Sequence, residues 1–426
     1  MDKINKFILF LALITPAMPK LKIAEGLTMY PLEIFLLLFF PLLFRKIRLK
    51  IQFFLFALWT ITLLSTLVSF SHIVDFGGFF RCIKGIIYIP LVYLVYQMFK
   101  NKTFNFKYVI YIFILASVNN LFILIANGID FVNLNIWDVK VIGSGLSNRF
   151  LDLKTFQIGT IESGAHGIWG NYCVLIFSLS LYLKLSKKIG NKLFIITLIC
   201  FILDIGMSVS RETMITFILV FGSLFFVKDE KNTNLRNKTA LSWIFIFAIL
   251  IIITIGLWGD KLPIVQKILY TQESIQDSGT ENNFQLRING WFVYFESLIR
   301  NPERIFIGYG YNLESYANYV SFAKRSYQDS YVALPESFFI QTFCYGGILC
   351  LVLGILFWVE IFKTCHHTKI KNLRIILLFY FIGLLIGNTI SGASILSDVL
   401  YCQILILLGY LKTCNHEKNI INNSEK

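Results

Sequence analysis

The hydrophobic residues of this chain occur in long blocks, separated by short polar stretches of which many are rich in Lys and Arg. Each long block approaches the roughly 20 residues that a helix needs to cross about 30 Å of hydrocarbon. Only helices and closed barrels satisfy their backbone hydrogen bonds in lipid, and unbroken apolar blocks are typical of helices. The pattern therefore predicts an all-α polytopic membrane protein with about 12 transmembrane helices.

The predicted spans are 4–18, 31–44, 51–70, 81–99, 107–126, 161–183, 193–210, 212–227, 240–258, 336–360, 375–391 and 395–411. The segment 259–335 between the ninth and tenth spans is too long to be a simple connector. Stretches 261–272 and 285–300 of this loop are amphipathic, which predicts helices within it. The domains are thus one transmembrane domain, 1–411, which includes the large loop, and a tail, 412–426, expected to be disordered and cytoplasmic.

Composition and charge agree with this class of protein. Hydrophobic residues make up 56% of the chain and charged residues 15%, whereas a soluble domain needs a more charged surface. The formal net charge is +14, and with the N-terminus placed inside, 24 of the 39 Lys and Arg but only 6 of the 25 Asp and Glu lie on the cytoplasmic side. The basic excess is therefore the positive-inside signature of a membrane protein, and no nucleic-acid partner is expected.

Three polar residues near the outer end of the seventh span are candidates for a site. Asp204, Ser208 and Arg211 are spaced i, i+4 and i+7, which places them on one face of a continuous helix. Charged residues at membrane depth are costly, and they are usually either functional or paired. The alternatives are that Asp204 and Arg211 neutralise each other, or that Arg211 anchors the helix at the interface.

The large loop contains the second group of candidates. Arg287 and Trp291 lie one helical turn apart, and they are followed by Arg300, Arg304 and a Gly308-Tyr309-Gly310 turn. The arginine guanidinium presents a planar set of donors that fits two phosphate oxygens at once. Arg300 and Arg304 are better explained as solvated residues that pair with neighbouring glutamates.

Glu336 stands at the mouth of the tenth span, on the same predicted side as Arg211 and Arg287. A carboxylate in that position could act as a general base. The alternative is an acid at the start of a helix, which the helix dipole favours. The sequence alone leaves both open.

The remaining candidates lie at the outer ends of other predicted spans. Arg81 and Lys84, one turn apart, could hold a diphosphate, or they could contact lipid headgroups. His166 forms an i, i+4 pair with Glu162, and Arg149 lies in the outer loop 127–160; both are weaker candidates for substrate binding. The cysteines show no metal-binding spacing such as C-x₂-C, and we expect neither a metal nor another cofactor.

Several of these segments resemble the O-antigen polymerase/ligase superfamily. Ser208-Val209-Ser210-Arg211 is similar to an S-x-S-R segment of that superfamily, and Arg211 to Gly222 fits its R-x₁₀-G spacing. Arg287 to Trp291 followed by Gly308 and Gly310 resembles its R-x₃-W … G-x-G segment, and Glu336-Ser337-Phe338 resembles the segment that closes its large loop. The order and spacing agree across roughly 149–360. Ligases of the superfamily carry histidine where this chain has Glu336, which favours the polymerase branch.

The resemblance implies a Wzy-type polymerase with a GT-C-like fold, a glycosyltransferase of O-antigen, lipopolysaccharide or related polysaccharide biosynthesis. It would act in the bacterial inner membrane, with the site facing the periplasm. It would transfer the growing chain from undecaprenyl pyrophosphate to an incoming lipid-linked repeat unit, without a metal and with inversion. Glu336 would then be the base, and Arg211 and Arg287 would stabilise the leaving diphosphate. A chain-length regulator and a flippase of the same pathway would be its partners.

Three other functions remain open from the sequence, and one of them, a non-catalytic assembly scaffold, is disfavoured by the cluster of outer arginines. An O-antigen ligase would transfer finished chains to lipid A core, and it would differ from a polymerase in its acceptor. A transporter, such as a flippase of the same lipid-linked units, would be expected to show internal repeats and charges deep inside several spans. The chain has no detectable internal repeat and has a large outer loop, so polymerase is the preferred function.

Overall fold

The computed structural model describes residues 2–24, 27–70, 74–100, 107–126, 149–152, 157–160, 166–208, 210–228, 242, 283–311, 313–322, 335–391 and 394–424. Their helices are α1 Asp2–Ile14, α2 Pro31–Phe44, α3 Lys50–Ser69, α4 Phe76–Ile87, α5 Leu91–Lys100, α6 Lys107–Ala126, α7 His166–Leu185, α8 Asn191–Ser208, α9 Arg211–Ser223, α10 Asn283–Arg300, α11 Arg304–Ile307, α12 Leu313–Tyr319, α13 Phe338–His366, α14 Lys371–Ser391 and α15 Asp398–Ser424. The strands are β1 Lys20–Ala24, β2 Leu27–Met29, β3 Arg149–Asp152 and β4 Gln157–Thr160.

The chain is a helical membrane protein. Within the described residues, the helices that are long and apolar enough to cross a membrane are Lys50–Ser69, Phe76–Lys100, Gly167–Leu185, Phe338–His366 and Lys371–Ile390. Shorter apolar helices cover Pro31–Phe44, Lys107–Leu121 and Glu212–Phe226. Helices occupy eleven of the predicted spans, while span 240–258 lies outside the described residues apart from Ser242. The number of membrane crossings stays a prediction.

The prediction of an all-α protein is wrong in one respect, because the structure contains a small sheet. Its strand order is β2-β1-β3-β4, with β1 antiparallel to β2 and parallel to β3, and β3 antiparallel to β4. The sheet joins two loops, 19–30 and 127–160, that are distant in sequence. Each strand has only three to five residues, too short for an alternating pattern to be recognised.

The predicted disordered tail is also different in the structure, because α15 continues to Ser424. The start of the tail is attached to other helices. Lys412 Nζ lies 3.1 Å from Glu360 Oε1 of α13, and the Thr413 hydroxyl donates to the Tyr96 carbonyl of α5 at 3.3 Å. These contacts extend the helix beyond the apolar span that ends at 411.

Contacts between helices divide the helix ends into two groups. These groups agree with the two sides of the membrane predicted from the distribution of Lys, Arg, Asp and Glu. Lys412 and Glu360 meet at the end predicted to be cytoplasmic, where Lys46 Nζ also donates to Gln97 Oε1 at 3.1 Å. Residues predicted to be on the other side meet at the opposite end, which we call the outer end. The assignment of the two ends to compartments stays a prediction.

Helix α13 is broken within the bundle, and the large loop is attached at the break. Gly346 and Gly347 have non-helical backbone angles, and Gly347 has a positive φ of 66°. The amides of Tyr309 and Gly310 donate to the carbonyls of Cys344 and Tyr345, at 2.7 and 3.1 Å. Backbone groups released by a broken membrane helix must find new partners, and the loop provides them here.

Helix α3 holds the same loop segment from its other side. The Ser65 hydroxyl donates to the Ile307 carbonyl at 2.5 Å, and the Ser69 hydroxyl donates to the Tyr309 carbonyl at 2.8 Å. The amide of Tyr311 donates to Thr66 Oγ1 at 2.8 Å. Segment 307–311 is therefore held between α3 and the break in α13, at the outer end of the bundle.

Candidate functional site

Helix α10 brings residues of the large loop to the start of α13. Its buried side chains Val293, Tyr294 and Leu298 form a second apolar core with Cys344 and Tyr345 of α13. Tyr294 also packs edge-on against Phe343, with ring centroids 5.6 Å apart. This packing lays α10 against the outer part of α13, next to residue 336.

The central contact of the candidate site is an ion pair between residues 49 positions apart. Arg287 Nε lies 2.5 Å from Glu336 Oε2, and the indole of Trp291 donates to the Glu336 backbone carbonyl at 3.2 Å. The exposed fraction is 29% for the Arg287 side chain and 47% for Glu336, so both can be reached from outside. We call these three residues the loop site.

The loop site places an arginine, a residue type that can bind a phosphate, beside a carboxylate, which can accept a proton. Arg287 contacts Glu336 through Nε, which is one of the five N–H donors of a guanidinium. A bound phosphate would compete with Glu336 for this fork, because guanidinium binds both groups in the same bidentate way. The carboxylate would then be released to accept a proton from a hydroxyl.

Glu336 is not an N-cap residue in the structure. Helix α13 begins at Phe338 with Ser337 as its N-cap, which places Glu336 before the first turn. Its carboxylate instead contacts Arg287 from another element. The geometry therefore gives Glu336 a partner that the helix-start explanation does not require.

Five charged residues form a second group at the outer end, which we call the charge cluster: Lys20, Glu33, Arg81, Lys84 and Asp398. Lys20 Nζ lies 2.8 Å from Asp398 Oδ2, and Lys84 Nζ lies 3.0 Å from Glu33 Oε2. Arg81 forms an ion pair with Asp398 and donates to the Leu396 carbonyl at 3.0 Å. Three cations and two carboxylates leave one positive charge in excess.

Both carboxylates of the charge cluster are buried, and Glu33 has further hydrogen-bond donors. The Tyr88 hydroxyl donates to Glu33 Oε1 at 2.9 Å, and the Tyr30 amide donates to Glu33 Oε2 at 2.8 Å. Lys84 also donates to the Thr28 carbonyl at 2.5 Å. Buried charges remain stable only when they are fully paired, so the cluster fixes β1, α2, α4 and α15 against one another. Arg81 is its most exposed cation, with 21% of the side chain accessible.

Aromatic residues connect the charge cluster with the loop site. Arg81 lies close to Tyr311 and Tyr345, whose ring centroids are 4.7 Å apart. Tyr345 is seven residues after Phe338, the first residue of α13, so it lies roughly 10.5 Å along the helix from that end at 1.5 Å per residue. The two groups of charges therefore belong to the same end of α13.

The prediction that Arg211 shares a helical face with Asp204 and Ser208 is wrong, whereas Asp204 and Ser208, spaced i and i+4, both belong to α8. Helix α8 ends at Ser208, and Arg211 begins α9 after Ser210, the extended N-cap whose hydroxyl accepts from the Thr213 amide. Asp204 is fully buried inside the bundle, and the Cys173 thiol donates to its Oδ2 at 3.9 Å. The side chains of Ser208 and Arg211 lie outside the described residues.

A carboxylate that the sequence analysis did not consider lies beside this break. Asn171 donates an amide hydrogen to Glu212 Oε1 at 3.4 Å. The carboxylate packs directly against the Cα of Gly167, where any larger residue would collide with it. Glu212 is thus enclosed by α7 and α14 near the outer end.

Close backbone packing accounts for both glycines of the Gly308-Tyr309-Gly310 turn. They have positive φ angles of 72° and 74°, and a Cβ on Gly308 would lie 2.6 Å from the Gly347 amide nitrogen. A Cβ on Gly310 would lie 2.5 Å from the Thr66 Cα. Between them, Tyr309 donates from its hydroxyl to Ser297 Oγ at 2.8 Å, and burial raises the pKa of Tyr309 to about 12. Substrate contact by the two glycines stays a prediction.

Arg300 and Arg304, the other two described arginines of the large loop, differ in their surroundings. Arg300 pairs with Glu296 one turn away at 2.7 Å, as predicted. Arg304 is buried rather than solvated, although its Nε lies 3.9 Å from Glu303 Oε1, the predicted partner. It also donates to the Gly308 carbonyl at 3.1 Å and lies over the Tyr319 ring at 4.5 Å. Arg304 thereby stabilises the Gly308-Tyr309-Gly310 turn, because its guanidinium bonds a carbonyl of the turn and packs against aromatic rings.

The last two sequence candidates, Arg149 and His166, are placed only by their backbones. Arg149 begins β3 and pairs with Thr160 of β4, and His166 begins α7. Their side chains lie outside the described residues, so their roles in binding stay predictions.

The sequence analysis missed Lys20, Glu33 and Asp398, although a signal for two of them was present. Glu33 falls inside the second predicted span and Asp398 inside the last one. An acidic residue within an apolar span requires a partner, which would have directed attention to Arg81 and Lys84. Lys20 carries no such signal, because it lies in a short loop.

No protein-family model, curated protein or solved structure matches this chain significantly. Within the described part of the chain, no three His, Cys, Asp or Glu side chains lie close enough together to hold a metal ion.

Proposed function

We propose that this protein is a polymerase of lipid-linked oligosaccharide repeat units, of the Wzy type, that contributes to O-antigen or a similar surface polysaccharide. It transfers the growing chain from undecaprenyl pyrophosphate to the incoming unit. The proposal includes about 12 membrane crossings with a GT-C-like architecture in the bacterial inner membrane, and a site on the periplasmic side. A chain-length regulator and a flippase of the same pathway are its proposed partners.

The observation that carries the proposal is the contact of Arg287 and Glu336 beside Trp291. The sequence resemblance selected these three residues without knowledge of their positions, and they lie within hydrogen-bond distance of one another. An arginine and a carboxylate that share an accessible site can serve a diphosphate leaving group and a hydroxyl acceptor. Trp291 adds an aromatic face next to them on which a sugar ring could stack.

In the proposed reaction, the diphosphate of the donor displaces Glu336 from the Arg287 guanidinium. Glu336 then takes the proton of the acceptor hydroxyl, while the oxygen of that hydroxyl attacks the anomeric carbon of the donor chain. The bond between that carbon and the diphosphate oxygen breaks, and its electron pair leaves with undecaprenyl pyrophosphate. Because this is a single displacement, the configuration at the anomeric carbon inverts.

The charge cluster supports this function in a different way. Its excess positive charge and the exposed edge of Arg81 lie at the same end of α13 as the loop site. A lipid-linked diphosphate that reaches the loop site from the bilayer would be attracted by this potential. All three cations of the cluster pair with buried carboxylates, and we assign the attraction to Arg81 because its side chain is the most accessible of the three.

The test is polymerisation by the purified full chain in lipid nanodiscs, with a lipid-linked repeat unit as the only substrate. We expect a ladder of longer chains on the lipid, with one undecaprenyl pyrophosphate released for each bond, and the same ladder in EDTA. Arg287→Ala should abolish the ladder, while Arg300→Ala, which removes the other exposed loop arginine, should retain it. Transfer only to a lipid A core acceptor would indicate a ligase instead. Passage of the unit across a bilayer without bond formation would indicate a transporter.

A further inference from the structure

Helix α10 has a second apolar face, which the described part of the chain leaves exposed. Phe292 and Ile299 are 63% and 81% exposed, and Phe295 lies between them with a similarly open side chain. Their spacing of i, i+3 and i+7 places them in one stripe along the helix. This stripe lies opposite the face whose Val293 and Tyr294 form the core with α13.

The exposed stripe continues onto a membrane-spanning helix. Phe306, the next exposed apolar residue, is 68% accessible and belongs to α11. Its carbonyl packs against Gly347 at the break of α13, where a Cβ would collide with it. Directly beyond the break, Leu349 and Val352 are exposed on α13, which is long and apolar enough to cross a membrane. Through Phe306, the exposed apolar surface of the loop therefore meets the exposed apolar side of α13.

The edges of the stripe are polar in the manner of a helix that lies at a membrane interface. At about 100° per residue, Glu296 and Arg300 border the stripe on one side and Trp291 borders it on the other, whereas Arg287, seven residues before Tyr294, lies on the side of the buried face. Glu296 and Arg300 pair at the surface, both about half exposed. Arginine and tryptophan are the residues that favour the headgroup region, because each combines an apolar body with a polar end.

We propose that α10 and α11 lie in the outer boundary between headgroups and acyl chains, with Phe292, Phe295, Ile299 and Phe306 inserted into the lipid. The occupant of this apolar face is the bilayer itself, because the face continues into the lipid-facing side of α13. A large contiguous apolar patch on the protein requires such a partner. This inference rests on exposure and continuity alone and does not depend on the proposed polymerase function.

One consequence concerns the depth of the loop site relative to the bilayer surface. Trp291 borders the apolar stripe and donates to the Glu336 carbonyl, so the proposal places the loop site close to the bilayer surface. Any group that reaches Arg287 from the membrane would arrive at headgroup depth.

The test uses spin labels on the full-length protein in nanodiscs. Cysteine is introduced singly at Phe292, Phe295 or Ile299, with Glu296→Cys as the matched control on the same helix, in a chain whose half-exposed Cys414 is replaced by Ser. The other seven cysteines are buried and should remain unlabelled. The collision rate of each label is measured with oxygen, which concentrates in lipid, and with a water-soluble nickel chelate.

We expect labels at the three apolar positions to favour oxygen over the nickel chelate several-fold more than the label at residue 296. Equal ratios at all four positions would place α10 in water and overturn the proposal. Labels shielded from both probes would show that a second copy or another protein covers the face, which would also overturn it. The depth measurement is independent of enzymatic activity, so an inactive protein with lipid-exposed labels would refute the proposed function alone.

Discussion

Replacing Glu336 by Gln distinguishes between a catalytic and a structural role of its carboxylate. Glutamine keeps the shape of the side chain and can still accept a hydrogen bond from Arg287, but it cannot take a proton. If Glu336 is the general base, the rate of chain growth should fall by about 10² to 10⁴. At 1.36 kcal/mol for each tenfold change, the activation barrier rises by about 2.7 to 5.4 kcal/mol.

The structure predicts a much smaller effect on stability. The ion pair with Arg287 is partly open to water, and pairs of that kind contribute about 0.2–1 kcal/mol. The variant should therefore fold and insert almost normally, whereas its activity is nearly lost. The difference between the two magnitudes lets the experiment distinguish between the two roles.

Glu296→Gln is the matched control for this experiment. Glu296 is 45% exposed against 47% for Glu336, pairs with Arg300 at 2.7 Å, and lies on the neighbouring helix α10. The assay is the length distribution of lipid-linked glycan made by each variant at equal amounts in nanodiscs, together with its thermal unfolding temperature. A normal ladder from Glu336→Gln would refute the base assignment. An equal loss in Glu296→Gln would show that loss of surface charge, rather than of the base, causes the effect.

Three further predictions concern the rest of the site and its support. Arg287→Lys should restore little of the activity lost in Arg287→Ala, because an ammonium cannot make the bidentate contact with a phosphate. Initial rates of lipid-linked chain growth compare the two variants. Full activity of Arg287→Lys would argue against phosphate binding at residue 287. Asp398→Asn should lower stability by about 3–5 kcal/mol, because it leaves Lys20 and Arg81, both largely buried, without their carboxylate. Thermal unfolding in detergent measures this loss. A loss as small as that of Glu360→Gln, at the other end of the bundle, would contradict the prediction. Gly347→Ala should detach the large loop, because Ala is strained at a φ of 66° and its Cβ meets the Phe306 carbonyl. Faster proteolysis of the loop would report this, and Gly222→Ala, whose Cβ meets nothing within 4 Å, should leave the protein unaffected.

Hydropathy predicted the positions of the helices well, because apolar length is a local property of the sequence. The predicted spans 31–44 and 51–70 differ from α2 and α3 by at most one residue at either end. The sheet was missed because β1 pairs with β3 across more than 120 residues, and no periodicity in strands of this length reveals such a partner. The single face expected for 204–211 failed for a related reason: Ser210 is a strong N-cap residue, and it starts a new helix within the segment.

The two parts of the candidate site differ in how far the sequence could reveal them. Arg287, Trp291 and Glu336 belong to short motifs, so their residue types drew attention before their positions were known. The charge cluster depends on pairing over long separations, for example between Lys20 and Asp398, 378 residues apart. Only folding brings those charges together, and a count of charges on each side of a membrane cannot identify which of them pair.

The break in α13 has a consequence for attempts to exchange parts of this protein. The apolar core beneath α10 is shared, with Tyr294 and Tyr309 supplied by the loop and Cys344 and Tyr345 by the membrane helix. A loop transplanted from another protein would lose the part of that core that α13 supplies, together with the carbonyls that accept its amide hydrogen bonds. An exchange of substrate preference between such proteins would therefore need the loop, the glycine pair and the first two turns of α13 to move together as one inherited unit.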